Sequence, residues 1–174
     1  MNTIALYDRV CLKASRNTTA AYSTSFSLGV RSLHRRFHDP IHAIYGFVRF
    51  ADEIVDTFHT HDKRKLLARF REDTERAISE GISLNPILHS YQGVVRRYGI
   101  ERELYDAFLR SMEMDLRDTE HDQDSYATYI LGSAEVVGLM CLRVFCEGDD
   151  ARYRQLKPAA MKLGSAFQKV NFLR

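Results

Sequence analysis

Apolar residues recur at helical spacing along almost the whole chain. The pattern predicts helices at about 3–20, 40–58, 62–80, 86–98, 101–119, 124–146, 149–156 and 158–174. The connections are short, so successive helices are expected to run antiparallel. Three prolines and nine glycines give little of the punctuation that many strands would need. Asp39-Pro40, Asn85-Pro86 and Lys157-Pro158 each open a periodic run, with Asp39 and Asn85 placed as N-caps and proline at the first helical position. The expected fold class is all-α: one domain, without repeat or linker, whose central helices are apolar nearly all round.

The predicted helix 40–58 departs from a plain amphipathic pattern. Ile41, Ile44, Phe47, Val48, Phe50, Ala51, Ile54, Val55 and Phe58 make most of its surface apolar. Tyr45, Arg49, Asp52 and Asp56 follow one another by about a turn, so they share one narrow stripe. Carboxylates on an otherwise buried helix must be paired or bind metal. Hard oxygen ligands on a rigid helix suit Mg²⁺ carrying a polyphosphate.

Three further stretches interrupt the apolar pattern. Tyr22-Ser23-Thr24-Ser25-Phe26-Ser27 places four hydroxyls together. They could terminate one helix and cap the next element, or hold phosphate oxygens with the neighbouring backbone N–H groups. Gln168, Asn171 and Arg174 give the last helix a polar side with one cation, which suits either solvent or a ligand. Gly132-Ser-Ala-Glu-Val-Val-Gly138 puts small residues inside a predicted helix. They weaken it and allow a neighbouring helix or a ligand to come close, so a helix break or a narrow cavity wall is expected there. Leu163, Ala166, Phe167, Val170 and Leu173 are still periodic when the sequence reaches Arg174 without a stop signal, the pattern of a helix cut short.

Composition narrows the function. With 174 residues, 45% of them hydrophobic, the chain can bury a substantial core. The net charge is only +2, and the basic runs His34-Arg35-Arg36 and Lys63-Arg64-Lys65 read as solvated helix ends or loops. There is no long basic stripe or reading motif for nucleic acid. Cys11, Cys141 and Cys146 lack metal-type spacing and read as buried thiols of a reducing compartment. Neither a signal core nor a membrane-spanning run is present, so a cytoplasmic protein is expected.

Taken together, Tyr22-Ser-Thr-Ser-Phe26, Ala43-Ile-Tyr-Gly-Phe-Val-Arg-Phe-Ala-Asp-Glu-Ile-Val-Asp56, Gly132–Gly138 and Gln168-Lys-Val-Asn-Phe-Leu-Arg174 resemble, in order, the motifs of the phytoene/squalene synthase family. The resemblance implies an isoprenoid-synthase-type helical bundle around a central cavity, with two aspartate-rich walls. Asp52 and Asp56 would be the metal ligands of the first wall, for Mg²⁺ or alternatively Mn²⁺. Arg49, Tyr45, Ser23 and Ser25 would contact diphosphate, and Gln168, Asn171 and Arg174 would belong to the second wall. Glu53 stands where many relatives have another aspartate. Relatives also carry a tyrosine near the position of Leu131, where this chain offers Tyr129 close by. In the family a second Asp-x-x-x-Asp begins directly after the arginine matched by Arg174. The 174 residues are therefore expected to be the N-terminal part of a longer family domain, inactive alone.

The activity implied is head-to-head condensation of two prenyl diphosphates through a cyclopropylcarbinyl diphosphate. The Ser-Ala-Glu-Val-Val-Gly-Leu run is most similar to bacterial phytoene synthases, which points to two geranylgeranyl diphosphates, phytoene and carotenoid synthesis. Squalene or dehydrosqualene formation from farnesyl diphosphate is the alternative, and no nicotinamide fingerprint is present for a reductive step. Readings of another class are a non-catalytic assembly factor of the same fold, or a half-protein that pairs with a second chain. Substrates that partition into lipid imply peripheral contact with the inner face of the membrane. Phe26, Phe47, Phe50 and Met140 are candidates for an apolar cavity lining, and each also suits plain core. Oligomeric state is not encoded in any of these features.

Overall fold

The computed structural model describes residues 3–116 and 131–172, with side chains left out at 131, 132 and 169–172. Its helices are α1 (Thr3–Tyr22), α2 (Thr24–Ser32), α3 (His38–Asp56), α4 (Lys63–Glu80), α5 (Pro86–Tyr98), α6 (Arg102–Asp115), α7 (Val136–Cys146) and α8 (Asp150–Phe172). A 3₁₀ turn, Arg35–Phe37, leads into α3, and a π-helical turn, Leu131–Glu135, leads into α7. No strand occurs among the described residues.

The centre of the bundle is α3, which packs against α1, α2, α4, α5, α6 and α7. Its buried Ile41, Ala43, Ile44, Phe47, Ala51, Ile54 and Val55 explain why a helix this apolar forms: neighbours remove it from water on most sides. Gly46 lets the bundle close tightly. A Cβ there would lie 3.3 Å from the Ser15 hydroxyl on α1 and 3.4 Å from Ile87 on α5. At the core the Phe47 and Tyr91 rings stack with centroids 3.9 Å apart, and the Tyr91 hydroxyl donates to the Met140 sulfur at 3.1 Å. Phe47 and Met140 are fully buried in this packing, the plain-core role that the sequence also allowed them. Cys11 and Cys146 are buried free thiols, as expected, and burial pushes the Cys141 thiol up to about 12.

Local signals set several boundaries. Asn85 caps α5 as predicted, its side-chain oxygen accepting from the amides of Ile87 at 3.0 Å and Leu88 at 3.4 Å, with Pro86 in the first turn. Asp62 caps α4 by accepting from the Lys65 amide at 3.0 Å. Gly81 (φ 73°) and Gly99 (φ 62°) end α4 and α5 in the left-handed region that favours glycine.

Other boundaries correct the sequence reading. Asp39 is not an N-cap: α3 begins at His38, out of the 3₁₀ turn, and Asp39 pairs with Arg16 of α1 instead. Pro40 is the third residue of α3, tolerated because first-turn amides need no helical acceptor. The hydroxyl stretch does not simply end α1; it opens α2, a helix that the periodicity had left unassigned. The helices expected at 149–156 and 158–174 are one, α8, with Pro158 inside it. Pro158 and Arg154 are both exposed, so the carbonyl deprived of its donor can be hydrated. The 117–119 end of one predicted helix and the 124–130 start of another lie outside the described residues.

Candidate active site

The stripe on α3 forms as its spacing requires, and the fold brings separate groups to its two ends. At the C-terminal end, Asp52 and Asp56 line a cavity of about 210 Å³ together with Asp115 at the end of α6, Ser133 of the π turn and Gln168 of α8. Val48, Val55, Phe108 and Met112 supply its apolar wall. Burial raises the Asp52 carboxyl to about 7; Arg49 opposes this, while Asp56, Asp115 and Glu53 add to it. A carboxylate held this far up, among others, favours anything that brings positive charge into the cavity. Ser133 lines the same space, and its hydroxyl is buried with no partner among the described residues.

The π turn and α8 position Gln168. A Cβ on Gly164 would lie 2.9 Å from the Ala134 carbonyl oxygen and 3.0 Å from the Glu135 Cα, so the two backbones nearly touch. Ser165 donates a hydrogen bond to Glu135 at the same crossing. One turn further along α8, Gln168 reaches the aspartate cavity. The small residues of 132–138 therefore bring a neighbouring helix close, as their sequence implied, and the regular helix gives way to a π turn there.

The N-terminal half of the stripe meets α1 and α2. Arg49 pairs with Glu53, and its guanidinium lies 4.4 Å from the centroid of the Tyr22 ring. Its Nε is buried with no partner among the described residues. Tyr45 stacks on Phe26 with centroids 4.8 Å apart, and burial raises its hydroxyl's pKa against the pull of Arg49. Ser23 caps α2, accepting from the Phe26 amide at 3.2 Å, and its hydroxyl lies 3.4 Å from that of Ser25. Capping is thus a real role of Ser23, and it leaves the hydroxyl beside Tyr45.

Of the predicted residues, Asp52, Asp56 and Gln168 share one cavity, while Ser23, Ser25, Tyr45 and Arg49 form the adjoining polar cluster. The Asn171 side chain and Arg174 lie outside the described residues, as does Tyr129. Sequence reasoning missed Asp115, and it placed the 132–138 stretch at a helix break or narrow cavity wall without singling out Ser133. The signal for Asp115 was available: it continues the Phe108–Met112 face of α6, a carboxylate where the pattern asks for an apolar residue.

Among the described residues no three carboxylate, histidine or cysteine side chains converge closely enough to hold a metal unaided. The donor set still fits Mg²⁺, which binds through one or two carboxylates and takes its remaining oxygens from water and phosphate. The raised Asp52 carboxyl and the orphaned Ser133 hydroxyl are what such a cation and its oxygen-rich cargo would satisfy.

The squalene/phytoene synthase family model matches residues 19–174. The presqualene diphosphate synthase of Rhodopseudomonas palustris is 30% identical over 162 residues, covering 88% of this chain and 54% of that protein. The phytoene synthase of Rhodobacter capsulatus is 27% identical over 168 residues, covering 94% of this chain and 48% of that protein. Among solved structures, a squalene synthase from Alicyclobacillus acidocaldarius has a TM-score of 0.82 at 22% identity, covering 95% of this chain and 61% of that one. A dehydrosqualene synthase crystallised with a ligand has a TM-score of 0.81 at 20% identity, covering 95% and 56%. The chain spans about half the length of the curated relatives it matches.

Proposed function

The chain belongs to the squalene/phytoene synthase family, and from that premise we propose that the whole protein condenses two prenyl diphosphates head to head. The product of the shared first step is a cyclopropylcarbinyl diphosphate. The observation that carries the reading is the aspartate cavity, where Asp52, Asp56 and Gln168 converge beside the Arg49–Tyr45–Ser23 cluster. An apolar bundle with a polar mouth of this kind suits substrates that are long hydrocarbons with a highly charged head.

Each group has a task in that chemistry. Asp52 and Asp56 would hold Mg²⁺, or Mn²⁺, which neutralises diphosphate and makes it a competent leaving group. Arg49 adds a fixed cation for the charge that develops as the carbon–oxygen bond breaks. Tyr45, Ser23 and Ser25 donate to phosphate oxygens and orient the head group. Gln168 holds the opposite side of the mouth from α8. Departure of diphosphate leaves an allylic cation, which the double bond of the second chain attacks. The apolar wall at Val48, Phe108 and Met112 keeps water from that cation.

The relatives divide between presqualene and phytoene synthases. Geranylgeranyl diphosphate with phytoene as product remains our preferred reading from the motif around Gly138, and farnesyl diphosphate is the competing substrate. The test is product analysis of the full-length protein with each diphosphate and Mg²⁺. A forty-carbon product supports the first reading, and a thirty-carbon product selects the second. Absence of turnover with both, while Asp52 and Asp56 are intact, would sink the catalytic reading.

A further inference from the structure

A second polar cavity, of about 440 Å³, lies where α1, α2, the 3₁₀ turn and the start of α3 meet. Its chemistry is the opposite of the aspartate mouth. Arg16, Arg31 and Arg35 line it against a single carboxylate, Asp39, which is already paired with Arg16. Arg31 and Arg35 have no ion-pair or hydrogen-bond partner among the described residues. Ser27 and His42 also line the cavity, and the Ser27 hydroxyl and His42 Nδ1 are buried behind it with no partner among the described residues. His38 does not fill it, because its Nε2 is engaged with the Leu33 carbonyl at 2.9 Å.

Leaving buried polar atoms unpaired is destabilising. Two such atoms lie beside two solvent-exposed guanidinium groups that no carboxylate holds, an arrangement that suits a ligand with several acceptor oxygens and negative charge. Phosphate meets both needs, since its oxygens match the arginine fork and still accept from a hydroxyl and an imidazole N–H. Along α3, His42 is roughly 15 Å from Asp52, so this cavity is separate from the mouth described above. None of its lining residues belongs to that mouth.

We propose that this cavity is a binding site for a phosphate-bearing anion, held by Arg31 and Arg35 with Ser27 and His42 beneath. Free phosphate and the phosphate of a lipid head group share that chemistry. The inference stands independently of the synthase reading.

The test is calorimetric titration of the full-length protein with inorganic phosphate, in EDTA so that no divalent cation loads the aspartates. Saturable binding is expected. Arg31→Gln/Arg35→Gln should weaken it about tenfold or more, and Ser27→Ala by a smaller factor. Arg31→Lys/Arg35→Lys, which keeps the charge but loses the fork, should fall between them, and it covers the case in which the glutamine variant misfolds. Arg154→Gln, at an exposed arginine of α8 outside this cavity, should bind phosphate as the parent does. No saturable binding, Arg31 and Arg35 variants with parental affinity, or an equal loss in Arg154→Gln would overturn the proposal. Co-sedimentation with phosphatidylglycerol vesicles, absent with phosphatidylcholine, lost in the arginine variants and competed by phosphate, would identify a lipid head group. Phosphate binding without vesicle capture would identify the free anion.

Discussion

Glu53 holds Arg49, the cation of the α3 stripe, one turn away, while the Tyr22 ring covers the guanidinium. The pair explains how a glutamate serves at a position where the family resemblance led us to expect an aspartate. Its longer side chain reaches back to the arginine rather than joining the aspartate cavity, of which Glu53 is not a lining residue. Arg49 must give up part of this contact to meet a diphosphate. Glu53→Gln should therefore tighten binding of inorganic diphosphate with Mg²⁺ by about fivefold, the scale of a pair worth about 1 kcal/mol. Calorimetry on the variant decides it. A loss of affinity would instead make Glu53 part of the cation site.

Asp52 gives the folded protein a pH dependence of definite sign. Its carboxyl is raised from 3.8 to about 7, so the folded state holds the proton more tightly than the unfolded chain. The protonated form is accommodated without penalty below the ordinary value. Stability then falls as pH rises between about 4 and 7 and stays reduced above, by at most about 4 kcal/mol. Asp52→Asn, neutral at every pH, should remove this trend. In EDTA the variant should melt with the parent near pH 4 and above it at pH 8. A variant that melts lower at pH 8 would show that the ionised carboxylate is stabilised by its surroundings.

The features legible in the sequence were those whose cause is local. The α3 stripe follows from spacing alone, and Asn85-Pro86 caps α5 because both the acceptor and the proline lie within one turn of it. Asp39-Pro40 carried the same signal and failed, because the 3₁₀ turn before it and Arg16 on another helix determined where α3 begins. Pro158 misled for a similar reason: its exposed position lets water replace the missing hydrogen bond. Asp115 was overlooked because its meaning depends on Asp52, 63 positions away by subtraction of their numbers, and on packing that no window of α6 contains.

The contact between α8 and the π turn separates two glycines that look alike in sequence. A Cβ on Gly164 meets backbone atoms at 2.9 and 3.0 Å that cannot move without displacing the turn, whereas one on Gly138 meets the Ala160 carbonyl oxygen at an ordinary 3.5 Å. Gly164→Ala should destabilise by about 1–3 kcal/mol. It should also weaken Mg²⁺–diphosphate binding by pushing Gln168 away from the mouth. Gly138→Ala should be neutral or stabilise by up to about 1 kcal/mol, through helix propensity. Paired urea melts test both, and equal effects would show that the crossing has slack.

Ser23 and Ser25 separate capping from binding within one motif. The Ser23 hydroxyl accepts the Phe26 amide, so Ser23→Ala should cost about 1 kcal/mol of stability whatever the motif binds. Ser25 is exposed inside α2 and caps nothing, so Ser25→Ala should leave the melting point where it was. If both hydroxyls hold phosphate oxygens, both variants should lose severalfold in affinity for inorganic diphosphate with Mg²⁺, measured well below the melting temperature. Stability and affinity would then fall together in Ser23→Ala but part company in Ser25→Ala. A Ser25→Ala variant with parental affinity would remove it from the diphosphate site and leave the stretch as the start of α2.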